Sequence, residues 1–206
     1  MLLLAFDTAT AAVTVAVHNG TSVVGEAVGE GAMAHGELLT PAIRDAVAAA
    51  GATMKDLTDV AVGVGPGPFT SLRVGVVTAL TLGQTLGLAT HGVCTLDVLA
   101  ADVTGADAEF LVATDARRKE IYWARYAADG HRLDGPSVEA PADVAARFPE
   151  LPAFGPGAAL YDGVLRSGGD LPVRAGALAE LVVSGRAHEV PLEPLYLRRP
   201  DAQPRA

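Results

Sequence analysis

The turn Gly63-Val64-Gly65-Pro66-Gly67-Pro68 ends a short aliphatic run, Leu57 to Val64, and opens a long helical pattern from about Phe69 to Leu86. Glycine and proline at this density can continue neither a strand nor a helix, so the chain must turn sharply here. A strand handed directly to a helix is a building unit of α/β folds. Thr70 or Ser71 is a natural N-cap, and amides at such a helix start can hold an anion. The turn lacks the Gly-Lys-Ser/Thr ending of a phosphate-cradling loop and the third glycine of a dinucleotide fingerprint. A tight turn with a cap is enough to explain it.

The helix itself is unusual. Ser71, Gly75, Ala79, Gly83 and Gly87 recur every four residues, so small side chains line one stripe along its length. Each mid-helix glycine costs about 1 kcal/mol relative to alanine. Close approach of another backbone is the obvious compensation. Two readings stay open: packing inside the chain against the preceding helix, or an interface in which both helices form half of a bundle. That preceding helix runs from about His35 to Ala50, with Leu39, Ile43, Val47 and Ala50 at helical spacing and Gly51 as its stop. Pro41 either opens it or kinks it.

Around these helices the pattern alternates. Leu2, Leu4 and Phe6, then Val13, Val15 and Val17, and then Ser22 to Val28 read as three antiparallel strands, with Asn19-Gly20 as a hairpin turn. Leu88 to Cys94 is a further strand, and Leu96 to Ala101 starts a helix. In the second half, Phe110 to Thr114 and Ile121 to Tyr126 are strands around the charged turn Asp115 to Glu120. Turn-formers crowd from Asp129 to Pro136. Helices are expected at Pro141 to Phe148 and Ala175 to Ser184, with Phe154 to Ala158 a strand-to-helix turn. The proline-rich end from Pro191 is expected to run extended along the surface. Two similar rounds of strands and helices suggest two α/β lobes, residues 1–100 and 101–206.

Composition narrows the function classes. Half of the 206 residues are hydrophobic and 19% are charged, which suits a collapsed core. The net charge of −9 repels phosphate, so the chain alone is not expected to grip nucleic acid. One cysteine, Cys94, excludes an internal disulfide and a cysteine-rich zinc site, and fits a cytoplasmic protein. No targeting signal or membrane span is expected. The five histidines lie far apart, without a zinc-peptidase spacing, so no metal is expected. No serine or cysteine has a base suggested by spacing, and Cys94 reads as a small buried thiol.

Taken together, LLLAFDTATAAVTVAV, AHGELLTPAI, GVGPGPFTSLRVGVVTALTLGQTLGLATHGVCTLDVLA, ATDARRKEIYWARY and PLYLRRPDA resemble the bacterial TsaB (YeaZ) family of tRNA threonylcarbamoyladenosine biosynthesis. The resemblance implies an α/β, actin/sugar-kinase/Hsp70-like two-lobed fold with a reduced second lobe. It places Asp7-Thr8-Ala9-Thr10 at the first phosphate loop, so Asp7, Thr8, Thr10, Gly65 and Gly67 are candidates for residual nucleotide binding. The related TsaD carries a metal-binding histidine pair after the glycine-loop helix, where this chain reads Gly92 to Val98 with neither histidine. The resemblance therefore implies no catalytic residue and no cofactor, and a non-catalytic subunit. That subunit supports a TsaD-like transferase acting on N6 of the tRNA adenosine beside the anticodon.

Further partners implied are an ATPase subunit of the same complex, a second copy when alone, and tRNA only through the complex. The family pairs through its first two helices. The interface expected is therefore His35, Leu39, Ile43 and Val47 with Ser71, Gly75, Ala79 and Gly83. The competing readings are a small ATPase or kinase of the same fold and, lowest, a peptidase.

Overall fold

A computed structural model describes residues 1–30, 35–103 and 107–198. Leu3–Asp7 (β1), Ala12–His18 (β2) and Val23–Glu30 (β3) form an antiparallel meander. His35–Ala49 (α1) leads to Asp59–Gly63 (β4), which pairs parallel to β1. Phe69–Leu86 (α2) leads to Ala89–Val93 (β5), parallel to β4. Two crossover helices after a meander thus give one mixed sheet.

The second half repeats this plan. After Thr95–Ala101 (α3), Phe110–Asp115 (β6), Ile121–Tyr126 (β7) and Arg132–Glu139 (β8) form another antiparallel meander. Pro141–Arg147 (α4) precedes Ala153–Phe154 (β9), and Pro156–Leu160 (α5) precedes Ser167–Gly169 (β10). Both strands join in parallel, giving the order β10-β9-β6-β7-β8. Ala175–Val183 (α6) and Glu189–Val190 (β11) then return to the first sheet, whose order is β11-β5-β4-β1-β2-β3.

The strand sequences explain the layering. Alternate residues point to opposite faces. In β1, Leu4 and Phe6 join Val13, Val15, Val17, Val60 and Val62 under α1 and α2, where Leu39, Ile43, Val76 and Ala79 meet them. Leu3 and Ala5 point the other way, with Ala16 and Ala61, into a layer built by α3 and α6. Phe110, Val112, Ala124 and Tyr126 of the second sheet close that layer from the far side. Both faces of β1 are therefore buried, which is why its sequence reads as an almost unbroken apolar run.

Differences from the sequence expectation are local. The helix α1 continues through Pro41, which lies on its exposed side. β8 occupies the stretch where turn-formers crowd: Gly135 and Pro136 sit at an irregularity in its pairing with β7, so the strand survives them. The proline-rich end is half-buried from Pro194 to Arg198 except at Tyr196, and residues 199–206 lie outside the described residues. Among the described residues no helix is long and apolar enough to cross a membrane.

Candidate functional site

A cleft of about 680 Å³ opens between the two sheets. The β1–β2 turn supplies Ala9, Thr10 and Ala11, and the start of α1 supplies His35. Gly67 to Ser71 come from the glycine-rich turn and the head of α2. Across from them stand Thr114 to Arg118 and Tyr122, with Tyr196, Leu197 and Arg198 closing one side. His35 Nε2 lies 2.7 Å from the Thr10 carbonyl, which can only accept, so that nitrogen carries the proton.

The five expected nucleotide-contacting residues divide. Thr10 and Gly67 line the cleft, whereas Asp7, Thr8 and Gly65 lie behind its wall. Asp7 is 1% exposed, accepting from Ala9 N at 2.6 Å and from Thr95 Oγ1 at 2.7 Å. Burial pushes its carboxyl up from the ordinary value, and these two hydrogen bonds and His35 pull it back. Thr8 donates to Ser71 O at 2.7 Å. Gly67 passes so close to the first turn that a Cβ would stand 2.5 Å from Ala9 O. The two turns thus touch closely, with Thr8 bonded to the head of α2 and with Asp7 and Gly65 both bonded to Thr95.

The small-residue stripe of α2 faces inward. Ser71 and Ala79 are buried, and a Cβ on Gly75 would stand 2.5 Å from Thr8 Oγ1. One on Gly83 would stand 2.4 Å from Thr90 Cγ2 in β5. The stripe therefore lets α2 lie flat on its own sheet. His35, Leu39, Ile43 and Val47 are buried on the inner side of α1 in the same way. This corrects the outward assignment of these eight residues: spacing fixes the period of a stripe, and the sheet decides which way it points. The outer face of α2 carries Thr70, Arg73, Val77, Leu80, Thr81 and Gln84.

The comparisons with known proteins agree with this architecture. Residues 28–189 match the family model TsaD: tRNA N6-adenosine threonylcarbamoyltransferase. An uncharacterized protein of Mycobacterium tuberculosis is 45% identical over 206 residues, 99% of this chain and 95% of that one. YeaZ from Pseudomonas aeruginosa superposes with a TM-score of 0.78 at 28% identity, over 95% of this chain and 99% of that chain. The chain belongs to the TsaB/YeaZ family. The Escherichia coli tRNA threonylcarbamoyladenosine biosynthesis protein TsaB is 36% identical over 140 residues, 63% of this chain and 56% of that protein. The fold is α/β as expected, with two mixed sheets, and is shared with YeaZ.

Sequence reasoning missed three parts of this TsaB/YeaZ-family cleft. Arg117, Arg118 and Lys119 are consecutive left-handed residues, with φ of 59°, 54° and 63°, at its second-sheet edge. Such a run costs about 1–2 kcal/mol per residue, and nothing in an Arg-Arg-Lys sequence announces it. Thr114 Oγ1 is buried there without a hydrogen-bond partner. Tyr196 and Arg198, expected to lie extended on the surface, help to wall the cleft; only their aromatic and cationic character could have marked them. Among the described residues no group of three or more His, Cys, Asp or Glu side chains is arranged to hold a metal ion.

Proposed function

We propose that the chain is a non-catalytic subunit of tRNA threonylcarbamoyladenosine biosynthesis. It binds and supports a TsaD-type transferase, which modifies N6 of the tRNA adenosine beside the anticodon. The observation that carries this reading is the outer face of α2. This helix holds one charged residue, Arg73, among eighteen, and it leaves Val77 57% and Leu80 38% exposed. A surface helix normally turns charge to water; this outer face carries one charge, and the two aliphatic side chains left bare among its hydroxyls and amide suit a partner.

The match of this chain to a TsaD family model supports a TsaD-type occupant. Related chains carry related helices, and two such faces can pack ridge into groove. The same face serves a second copy when the chain is alone. An ATPase subunit completes the assembly, in the cytoplasm, and tRNA contacts fall to the partners because this chain carries a net charge of −9. The test is to mix the purified chain with a TsaD-type transferase and assay modified tRNA. Co-elution and dependence of modification on this chain are expected. Separate elution with unchanged modification overturns the reading.

A small ATPase or kinase acting alone is the second reading, favoured by one observation, the cleft lined by Thr10, Gly67 and the basic turn Arg117–Arg118. The burial of Asp7 behind the cleft wall speaks against it. ATP turnover by the isolated chain, lost on Thr10→Ala, would favour it.

A further inference from the structure

The end of the described chain crosses the mouth of the cleft. Leu195 N donates to Val64 O at 2.8 Å, beside the glycine-rich turn. The Tyr196 ring stacks on Phe69 with centroids 4.7 Å apart, and its hydroxyl accepts from Arg73 Nε at 3.0 Å. The Arg73 guanidinium in turn lies 4.2 Å from the Phe69 ring centre. Two residues on, Arg198 Nη1 donates to Ala116 O at 2.8 Å, and the same guanidinium pairs with Glu120. Val64, Phe69 and Arg73 stand on the first-sheet side of the cleft, whereas Ala116 and Glu120 stand on the second.

Three residues within four consecutive positions therefore grip both sides of one opening. What they grip differs in stiffness. Val64 sits in the buried core at the end of β4, 1% exposed. Ala116 and Glu120 bracket the left-handed run Arg117–Lys119, closed by Ala116 N to Glu120 O at 3.0 Å and Arg117 N to Asp115 Oδ1 at 2.7 Å. Strained backbone of this kind persists where surrounding contacts hold it. Arg198 supplies two of those contacts from across the cleft.

We propose that Leu195 to Arg198 form a clasp that fixes the spacing of the two sheets, so that the cleft opens only when the clasp lifts. Tyr196 is the anchor on the first side and Arg198 the hook on the second. Losing either one frees the same motion, which distinguishes a clasp from two unrelated surface contacts. The inference does not depend on what covers α2.

The experiment uses the full chain with spin labels on two exposed helix positions, Ala48→Cys in α1 and Ala142→Cys in α4, and measures their distance distribution. Cys94 is buried and stays unlabelled in the folded protein. The intact clasp is expected to give one narrow distribution. Tyr196→Ala, whose contacts all lie on the first side, is expected to broaden it toward longer distances. It should also speed amide exchange in residues 115–121 about tenfold, as expected when a local opening equilibrium shifts by one power of ten. Arg198→Ala is expected to do the same from the other side, and it reads the result if Tyr196→Ala fails to fold. Tyr196→Phe keeps the stack and is expected to give the smaller change. An unchanged distribution in both alanine variants overturns the clasp, as does faster exchange in 115–121 with Arg198→Ala alone.

Discussion

Thr95 Oγ1 donates to Asp7 Oδ2 at 2.7 Å, joining the first residue of α3 to the last of β1 across 88 positions of sequence. The same hydroxyl accepts from Gly65 N at 3.2 Å, and Thr95 N donates to Gly65 O at 2.8 Å. One threonine thus ties the β1–β2 turn, the glycine-rich turn and α3 together. The first two of these segments hold the residues for which the family resemblance implied nucleotide contact. Asp7, Thr8 and Gly65 are spent in holding the fold, while Thr10 and Gly67 line the cleft.

That arrangement predicts a pH signature. Burial raises the Asp7 carboxyl above its ordinary 3.8, so the folded state holds its proton more tightly than the unfolded chain does. Stability contributed by the neutral form is therefore lost as pH rises from 3.8 through the raised folded value. Asp7→Asn removes this titration. Urea midpoints of the two proteins across the acidic range should show the native chain losing ground to the variant as pH rises. Parallel curves would refute the assignment.

Cys94 gives a second test. The thiol is 1% exposed and burial pushes it up to about 12, with the Asp97 carboxylate adding to the shift. Thiolate is the reactive form, so a disulfide reagent at mildly alkaline pH should leave the native protein almost untouched and label the unfolded chain at once. Labelling of the native state is expected only at the rate of local opening. Fast stoichiometric labelling would show that the layer between the sheets is looser than described.

The inward stripe of α2 makes Gly75 and Gly83 unequal. Thr8 Oγ1, the atom a Gly75 Cβ would strike, is held by Ser71 O in a fully buried site and cannot swing away. Gly75→Ala should cost about 1–3 kcal/mol of overpacking, offset in part by about 1 kcal/mol of helix propensity. At Gly83 the obstacle is one methyl of exposed Thr90, which can shift, so Gly83→Ala should be close to neutral. Were both glycines turned to solvent, both alanines would stabilise the isolated chain. Urea unfolding of the two variants separates these cases.

The contrast shows what the sequence could and could not reveal. The extents of α1 and α2 were legible because each apolar row repeats for several turns and each helix ends at a glycine. The first meander was legible from alternation and Asn19-Gly20. The direction of the small stripe was not. Exposed Val77 and Leu80 stand among Thr70, Arg73, Thr81 and Gln84, so apolar residues occur on both sides of the helix and blur which way it leans. β8 was hidden for a different reason: Asp134, Gly135 and Pro136 have turn chemistry, and only pairing with β7 makes them strand. β11 is two residues long and exists only because β5 offers it an edge. In the cleft, Thr10 and Gly67 were named through the family resemblance, whereas Tyr196 and Arg198 needed the chain's return from 190 onward.

The proposed docking face can be separated from the core beneath it, because two sets of residues on the same helices make opposite demands. Val77 is 57% exposed, so Val77→Asp should change unfolding free energy by no more than about 0.5 kcal/mol, whereas at Leu80, 38% exposed, Leu80→Asp should cost about 1 kcal/mol. Burying an unpaired carboxylate against a partner is costly, so each should weaken binding to a TsaD-type transferase by at least about tenfold. Leu39 is 1% exposed on the inner side of α1. Leu39→Ala should instead cost about 2–5 kcal/mol of stability, through the cavity it leaves, while the fraction still folded binds normally. Titration calorimetry beside urea unfolding reads both quantities on each variant. Unaltered affinity in Val77→Asp and Leu80→Asp would move the docking surface off α2 altogether.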